Sequence, residues 1–425
     1  MTLYLARYLL PISAPPIEDG ALLLRRGRIA AVGRRADLLA EFAGEVVDFG
    51  DAILLPPLVN AHTHLELSYF PRWVALADKS LAAGSFVDWL LHLIDIKHGL
   101  TEKDLAASLQ DGLRQCLRFG TGAVGDILST NRLSSHYTAS PLYGRIYLEL
   151  LGVDPTVWQD ALLRSEAEVA KGQLGRLLLG LAPHAPYSLS AEALMAIYDV
   201  ASRQRWTLTT HLAESPQESE LLQIGTGELL ERLYPAVGWS EYRPSAANCS
   251  PVVYLDRLGG LQSDNLLVHG VQVSQADCRL MAERGVTMCL CPRSNERLGV
   301  GRVPVADYRA AGVKLALGTD SLASNDSLSM WEELAAARHC YGAHLSPAEL
   351  LAMATRNGAD ALGLKGEMGT LQAGGGGHFQ VLPLASAPSL AQLEEMLCSQ
   401  GSALSVNALY LDGIERLKSA ELPAV

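Results

Sequence analysis

Through most of this chain, short apolar runs alternate with amphipathic helical stretches, and this alternation restricts the possible folds more than any other feature. Eight runs have the length and composition of buried strands: AILLPPLVNAHTH, TGAVGDIL, GRIYLELLG, RLLLGLAPHAPYS, WTLTTHLAES, NLLVHGV, GVTMCLCPRSN and VKLALGTDS. Two of the intervening helices have N-cap candidates, Thr101 and Ser190, and Thr101 and Asp104 have the capping-box spacing. Eight βα units in succession predict an α/β fold, a (β/α)8 TIM barrel.

The two ends of the chain have a different residue pattern, which predicts short strands and frequent turns. The N-terminal runs are LYLARYLLP, GALLLRRGRIAAVG and EVVDFGDAILLP, and the C-terminal runs are GTLQAGGGGHFQVLPL and SALSVNALYLDG. We therefore expect residues 1–56 and 366–425 to close on each other as one small β-sandwich domain. Residues 57–365 would then form the barrel beside it.

Charge, hydropathy and cysteine content exclude several classes of function. The formal charge is −12, from 34 basic and 46 acidic residues, which argues against nucleic acid as a partner. No apolar run is long enough to cross a bilayer, and the N-terminus lacks the basic start of a signal peptide. The seven cysteines form no CxxC pair, which predicts thiols in a reducing cytoplasm. Cys289 and Cys291 alternate on a predicted strand, as small core residues or as metal ligands.

Histidines and carboxylates occur at the C-terminal ends of the predicted strands, where barrel active sites form. His62 and His64 end the first strand, and the alternation of side chains along a strand turns both to one side. Later strands carry further residues of this kind: His184, His211, His269 and Asp320. A structural role explains one such histidine easily, but it explains five at one face poorly. The sequence therefore predicts a single metal-centred site.

The residue types at these strand ends indicate which ion binds and which groups move protons. The predicted ligands are His62, His64, His211 and Asp320, a set that suits one divalent ion, Zn2+ or Fe2+. Such an ion lowers the pKa of a bound water. Glu214, three residues after His211, is placed as a proton shuttle, although an acid that favours a helix dipole has the same signature. His269 is expected to hydrogen-bond the water or the developing oxyanion, or to be a further ligand.

The segments that carry these residues resemble the amidohydrolase superfamily over nearly the whole chain. They are NAHTHLELS, APHAPYS, THLAES, LLVHGV, CPRSN and LGTDSLASN, in the superfamily's order. The set is similar to the mononuclear branch of adenosine-type, S-adenosylhomocysteine and methylthioadenosine deaminases and triazine hydrolases. The binuclear branch needs a lysine on strand four, and LLLGLAPHAP has none. The resemblance implies the same four ligands, Glu214 as acid/base and His184 as a substrate contact.

Within that branch, THLELS, SFVDWL, HLAES, CPRSN and GTDSLASN most resemble the 6-aminodeoxyfutalosine deaminase group of menaquinone biosynthesis. The implied reaction is hydrolytic deamination of an adenine nucleoside, with Glu214 protonating the ring nitrogen beside the amino-bearing carbon and Asp320 accepting the proton of the attacking water. Glu66 departs from the pattern of the S-adenosylhomocysteine and methylthioadenosine deaminases. His378 stands where the family usually has an Ala-Asp pair, and it is expected to be peripheral.

Five further side chains are candidates for substrate contacts: Glu66, Trp89, Arg145, Arg293 and Ser324. The benzoate of 6-aminodeoxyfutalosine calls for a cation, for which Arg145 or Arg293 could serve unless it forms a salt bridge at the barrel rim. Glu66 could bind a ribose hydroxyl or a ring nitrogen, or support His64. Trp89 could stack on the base or belong to the core.

Other functions remain open at this point. S-adenosylhomocysteine, methylthioadenosine or adenosine could be the substrate, and a triazine-type chloro- or aminohydrolase or a guanine or cytosine deaminase would use the same metal site. A catalytically inactive barrel used for protein assembly would have lost ligands, whereas every ligand position is filled here. A purine-sensing protein would not need Glu214. Family members often form dimers or larger oligomers, so a homo-oligomer is possible.

Overall fold

The computed structural model describes residues 1–40, 42–78 and 84–418. Its strands are β1 (Thr2–Leu9), β2 (Ile17–Arg25), β3 (Arg28–Arg34), β4 (Glu45–Asp48), β5 (Ala52–Leu55), β6 (Leu58–Thr63), β7 (Thr121–Leu128), β8 (Tyr143–Leu150), β9 (Gln173–Leu174), β10 (Leu177–Pro183), β11 (Leu208–Leu212), β12 (Asn265–His269), β13 (Thr287–Leu290), β14 (Lys314–Leu317), β15 (Phe379–Pro383), β16 (Ala408–Leu411) and β17 (Ile414–Lys418).

The α-helices connect these strands, and most of them pack around the barrel. They are α1 (Arg35–Leu39), α2 (Phe70–Leu76), α3 (Phe86–His98), α4 (Glu102–Arg118), α5 (Pro155–Val169), α6 (Ala191–Gln204), α7 (Pro216–Ile224), α8 (Tyr234–Ala236), α9 (Pro251–Arg257), α10 (Gln275–Arg284), α11 (Pro292–Arg297), α12 (Val305–Ala311), α13 (Met330–Tyr341), α14 (Pro347–Ala352), α15 (Gly358–Ala361) and α16 (Leu393–Gln400). None of the described helices is both long and apolar enough to span a membrane.

One sheet forms the predicted barrel. Its parallel strands are ordered β6, β7, β8, β10, β11, β12, β13 and β14, with the short β9 beside β10. A parallel bridge between Thr63 and Asp320 joins the two ends of this sheet, and the main-chain N–H of Asp320 donates to His62 O at 3.0 Å. Closure removes the sheet edges and brings the first and last strands of the barrel together.

The first predicted strand is two strands in the structure. Pro56 and Pro57 separate β5 from β6, because proline has no N–H to donate to a ladder. β5 belongs to the sheet of the chain ends, and β6 enters the barrel. The other seven predicted runs each contain one barrel strand.

The capping predictions for two helices are confirmed. Thr101 accepts from the N–H of Asp104 at 3.3 Å, and the Asp104 carboxylate accepts from the N–H of Thr101 at 2.9 Å. Ser190 Oγ accepts from the N–H of Ala193 at 3.2 Å. These bonds satisfy main-chain donors that lack partners inside the helices.

The second sheet joins the two ends of the chain. Its order is β17, β16, β15, β5, β1, β2, β3, and β4 pairs with β1. The antiparallel pairing of β15 with β5 links the C-terminal part to the N-terminal part. The predicted architecture, a (β/α)8 barrel with a β unit built from both chain ends, is therefore confirmed. The exact limits of the two domains stay predictions, and residues 419–425 lie outside the described part.

Candidate metal centre and active site

The predicted ligands converge at the C-terminal ends of the barrel strands. His62 and His211 lie near the ends of β6 and β11, while His64 and Asp320 come just after β6 and β14. Two groups of potential ligand atoms lie within 4.8 Å of one another: those of His62, His64 and His211, and those of His62, His269 and Asp320. Asp320 Oδ1 is 3.4 Å from His62 Nε2 and 3.5 Å from His64 Nε2.

Hydrogen bonds fix the orientation of two ligand candidates. His211 Nδ1 donates to the carbonyl of His184 at 2.9 Å, so the lone pair of the neutral ring lies on Nε2. Asp320 Oδ2 accepts from Ser294 Oγ at 2.7 Å and from Ser324 Oγ at 2.6 Å, which leaves Oδ1 facing the histidines. Asp320 also has a positive φ of 58°, a strained conformation typical of functional sites.

The ionisation states favour metal binding. Burial lowers the pKa of His62 and, more strongly, of His64 and His211, so these imidazoles are neutral near pH 7. Burial opposes ionisation of Asp320, but the interaction with the His62 ring, whose Nε2 lies 3.4 Å from Oδ1, outweighs it and holds the Asp320 pKa well below its usual range. Neutral imidazoles and a carboxylate are the forms that bind divalent ions.

Two buried nitrogen atoms without partners among the described residues also indicate that the histidine and aspartate group binds a divalent metal ion. His62 Nε2 and His269 Nε2 are buried and have no hydrogen-bond partner within the described part of the chain. Buried polar atoms of this kind need a partner. Nitrogen ligands lie about 2.0–2.1 Å from zinc, so two ligands of one tetrahedral ion are about 3.4 Å apart. Asp320 Oδ1 and His62 Nε2 have this spacing. His62, His64, His211 and Asp320 could therefore hold the ion. All seven cysteines are free thiols, and neither Cys289 nor Cys291 belongs to a ligand group in the described residues.

Glu214 lies at the turn between β11 and α7, beside the ligand group. Its Oε1 is 3.5 Å from His269 Nε2, and burial raises its pKa well above the usual value. The carboxylate of Glu218 accepts from the N–H groups of Ala213 and Glu214 at 3.1 and 2.9 Å, which fixes the turn. A protonated carboxyl in this position can donate to a substrate atom above the metal site.

His269 is oriented by a neighbouring amide. Its Nδ1 donates to Asn295 Oδ1 at 2.9 Å, which leaves Nε2 of the neutral ring as an acceptor. Burial lowers the His269 pKa and favours this neutral form. This geometry suits two of the predicted roles, a hydrogen bond from water to Nε2 and a further metal ligand, since His269 belongs to one of the two ligand groups. His269 has φ 74°, and its conformation is strained like that of Asp320.

A cavity of about 510 Å³ opens above these groups. Its polar lining contains His64, Lys97, His98, Glu149, His184, Ser188, His211, Glu214, Asp320 and Ser321. Its apolar lining contains Leu67, Trp89, Leu90, Leu93, Ile94, Leu151, Tyr187, Leu233, Val237 and Trp239. A mostly apolar cavity with a few convergent polar groups is typical of a small-molecule site.

Two predicted substrate contacts lie on this cavity. His184 lines it with its Nδ1 2.7 Å from Ser188 Oγ, and burial lowers its pKa to about 4. Trp89 lines the cavity from α3, and its Nε1 donates to Ala323 O at 3.0 Å. Both residues are therefore available to a ligand, and their contact with substrate stays a prediction.

The structure places neither predicted arginine at the cavity. Arg145 lies near the start of β8, at the far end of the barrel, where Nη1 donates to Leu179 O at 2.9 Å and Nη2 to Leu362 O at 3.4 Å. Arg293 pairs with Asp326, and its Nη1 is 2.8 Å from Glu332 Oε2. Neither side chain lines the cavity. These contacts favour the salt-bridge interpretation for Arg293, and main-chain carbonyls hold Arg145.

Two other predicted contacts also act away from the cavity. Glu66 is 1% exposed, and its carboxylate is bonded to Lys97 and Ser129, so it cannot reach a ribose or ring atom directly. Ser324 is fully buried and donates to Asp320. These residues support groups of the site instead of contacting a ligand.

Sequence reasoning missed several residues of the site. Glu218 had a usable signal, since Ser215 and Glu218 have the capping-box spacing, although its carboxylate bonds residues 213 and 214 instead of the N-cap. Glu149 lies at the end of β8 and could have been found by the strand-end rule. Lys97 had no such signal, because it comes from helix α3, which packs over the barrel mouth.

Comparison with known proteins agrees with this geometry. Residues 53–404 match the model of the Amidohydrolase family. The chain belongs to this amidohydrolase family. Family membership and its deaminase relatives confirm the prediction of a hydrolase acting on C–N bonds.

The amidohydrolase is similar to two groups of curated relatives. It is 33% identical over 373 residues to a 5-methylthioadenosine/S-adenosylhomocysteine deaminase of Nitratidesulfovibrio vulgaris, covering 84% of this chain and 77% of the relative. It is 31% identical over 355 residues to an aminodeoxyfutalosine deaminase of Deinococcus radiodurans, covering 81% and 82%. A solved adenosine deaminase of Xanthomonas campestris with bound zinc has a TM-score of 0.82 and 25% identity, covering 100% of this chain and 94% of that one.

Proposed function

We propose that this amidohydrolase is a metal-dependent deaminase of adenine nucleosides, converting the adenine to hypoxanthine and releasing ammonia. The observation that carries the proposal is the placement of Glu214 and His269 beside the His62, His64, His211 and Asp320 group, at the floor of a largely apolar cavity. The names of the curated relatives support the same substrate class.

The side chains suggest how the reaction proceeds. When bound, a divalent ion lowers the pKa of water and supplies hydroxide near neutral pH. Glu214, whose protonated form is favoured by burial, donates to the ring nitrogen beside the amino-bearing carbon, which makes that carbon more electrophilic. His269 Nε2 accepts a hydrogen bond from the attacking water, and Asp320 receives a proton. That proton passes to the amino group, which leaves as ammonia, and the other proton of the water returns to Glu214 and restores its acid form.

Among adenine nucleosides, we propose 6-aminodeoxyfutalosine as the preferred substrate, which would place the enzyme in menaquinone biosynthesis. The aryl arm of this substrate suits the apolar wall formed by Leu90, Leu93, Leu233 and Trp239. The arm's carboxylate would extend toward the cavity mouth, where His98 is exposed. Similarity to the Deinococcus radiodurans relative supports this choice.

A second candidate is deamination of methylthioadenosine and S-adenosylhomocysteine. The relative at 33% identity carries that name, and the ligand group, Glu214 and His269 would serve both substrates equally. The two candidates therefore differ only in the arm attached to the ribose.

Ammonia release tests the proposal. Metal-replete enzyme would be assayed with 6-aminodeoxyfutalosine, S-adenosylhomocysteine, methylthioadenosine, adenosine, guanine and a chlorotriazine. We expect the highest kcat/KM for 6-aminodeoxyfutalosine. Preference for the thio-adenosines would favour the second candidate, and turnover of only guanine or the triazine would overturn the nucleoside assignment.

A further inference from the structure

Two charged side chains line the cavity but have no part in the proposed chemistry. Lys97 extends from the last turn of α3, and Glu149 lies one residue before the end of β8. The other carboxylates on the lining, those of Glu214 and Asp320, belong to the reaction centre. Charged groups that face a largely apolar cavity need a polar ligand or water.

Lys97 is held rigidly by two neighbours. Its Nζ is 3.2 Å from Glu66 Oε1 and 3.1 Å from Ser129 Oγ. Glu66 in turn accepts from the main-chain N–H of Ser129 at 3.2 Å and from its hydroxyl. An ammonium group has three donors, so one remains for a ligand, and the lysine side chain keeps 29% of its surface exposed.

Glu149 complements this donor with acceptor capacity. Within the described residues its carboxylate makes no hydrogen bond, although it lies in the field of Lys97. Burial raises its pKa to about 7, against the opposing charge of Lys97. Its acceptor atoms are therefore free for a ligand on the cavity side.

The net charge of Lys97, Glu66 and Glu149 determines which kind of ligand can bind beside them. Glu66 compensates the ammonium of Lys97 at ion-pair distance, so ionised Glu149 makes the group anionic. A ligand carboxylate would be repelled, whereas neutral hydroxyl groups can both donate to Glu149 and accept from Lys97.

We propose that Lys97 and Glu149 form the subsite that binds the vicinal hydroxyls of the ribose, with Glu149 accepting from them and Lys97 donating to them. Glu66 and Ser129 are positioning residues that hold the lysine. This inference rests on the proposed function and deepens it, because it makes the sugar a determinant of specificity. The enzyme would then act on ribonucleosides and discriminate against free bases and triazines.

The test compares adenosine with 2′,3′-dideoxyadenosine, which lacks both hydroxyls. Wild type, Glu149→Leu, Glu149→Gln and Lys97→Met would be assayed for kcat/KM on both nucleosides. The controls are the exposed-residue variants Glu283→Gln and Lys365→Met. Circular dichroism and metal content would show which variants fold and retain the ion.

We expect wild type to prefer adenosine over the dideoxynucleoside by about tenfold or more, the usual effect of losing a hydrogen bond to a charged group. Glu149→Leu and Lys97→Met should lose activity on adenosine by a similar factor but change little on the dideoxynucleoside. Glu149→Gln, which keeps an acceptor, should lose less than Glu149→Leu.

Equal losses on the two nucleosides, or no loss, would overturn the subsite while leaving the deaminase assignment intact. If wild type deaminated no nucleoside, the proposed function and the subsite would both be wrong. If Glu149→Leu did not fold, the wild-type preference and Lys97→Met would decide the question by the same comparison.

Discussion

The carboxylate of Glu218 accepts a hydrogen bond from the main-chain N–H of Glu214 at 2.9 Å. It accepts a second from the N–H of Ala213 at 3.1 Å. One fully buried carboxylate thus fixes the turn that carries the proposed proton donor. The precision of the reaction centre depends on this second carboxylate as well as on the ligands.

Glu218→Gln should therefore impair turnover without removing the metal. The amide can accept from one of the two N–H groups, but its own N–H2 would face the other, so Glu214 would shift. We expect kcat to fall about tenfold or more with a smaller change in KM, since misplacement of a catalytic group is costly. Steady-state kinetics and metal analysis check this. Glu220→Gln, on the exposed side of α7, is the control, and equal kcat values for the two variants would contradict the positioning role.

Loss of the hydroxyls that orient Asp320 should weaken metal binding. Ser294→Ala and Ser324→Ala each remove one donor to Asp320 Oδ2. Outer partners of metal ligands typically contribute about 10- to 100-fold in affinity, so each variant should bind the ion less tightly by a factor in that range. Competition with a chelator measures the affinity. Ser202→Ala on the surface of α6 is the control; unchanged affinity in both buried variants would show that the serines do not support the ligand.

The buried carboxyl group of Asp126 should make the free energy of unfolding depend on pH. Burial raises its pKa from the usual 3.8 to about 8, although it accepts from Leu65 N–H and Tyr137 Oη. The folded state therefore binds a proton that the unfolded state has released, and Asp126 costs stability progressively as the pH rises from about 4 to 8.

Asp126→Asn should remove that cost, because an amide does not ionise. The free energy of unfolding of wild type should fall relative to Asp126→Asn between pH 4 and pH 8. Chemical denaturation at several pH values measures this difference. A constant difference across the range would mean that Asp126 has the same protonation in both states.

Arg145 should matter for stability and not for substrate choice. It donates to Leu179 O and Leu362 O in the barrel interior. Arg145→Met would leave buried acceptors without partners, at about 1–3 kcal/mol. Denaturation should show this loss, and the ratio of kcat/KM for 6-aminodeoxyfutalosine to that for adenosine should stay constant. A selective loss on the carboxylate-bearing substrate would restore the original prediction.

The contrast between Arg145 and the histidines shows where sequence reasoning is strong. Alternation along β6 and the clustering of histidines at strand ends are local patterns, and they predicted which side chains the fold brings together. Arg145 was assigned to the right strand but lies five residues before its end, and at about 3.3 Å per residue it is roughly 16 Å from the active face. The spacing of residues predicts to which side of a strand a side chain points. The distance of that side chain from the active face depends on where the strand begins and ends.

Lys97 and Glu66 illustrate a second limit. Their ion pair joins helix α3 to the segment after β6, thirty-one positions apart in sequence. The sequence shows that Glu66 is unusual, but it does not show that the ammonium of Lys97 pairs with its carboxylate. Only the packing of α3 over the barrel mouth turns Glu66 into a support for Lys97.

The most direct test of the central claim is ammonia release from an adenine nucleoside as a function of bound metal. The protein would be stripped with a chelator, and Zn2+ or Fe2+ would be added back in steps, with Glu214→Gln measured in parallel. We predict that stripped protein is inactive, that about one equivalent of ion restores activity, as one four-ligand site requires, and that Glu214→Gln binds the ion but is slower by about 100-fold or more. Undiminished activity in the stripped protein, or full activity of Glu214→Gln, would contradict the account.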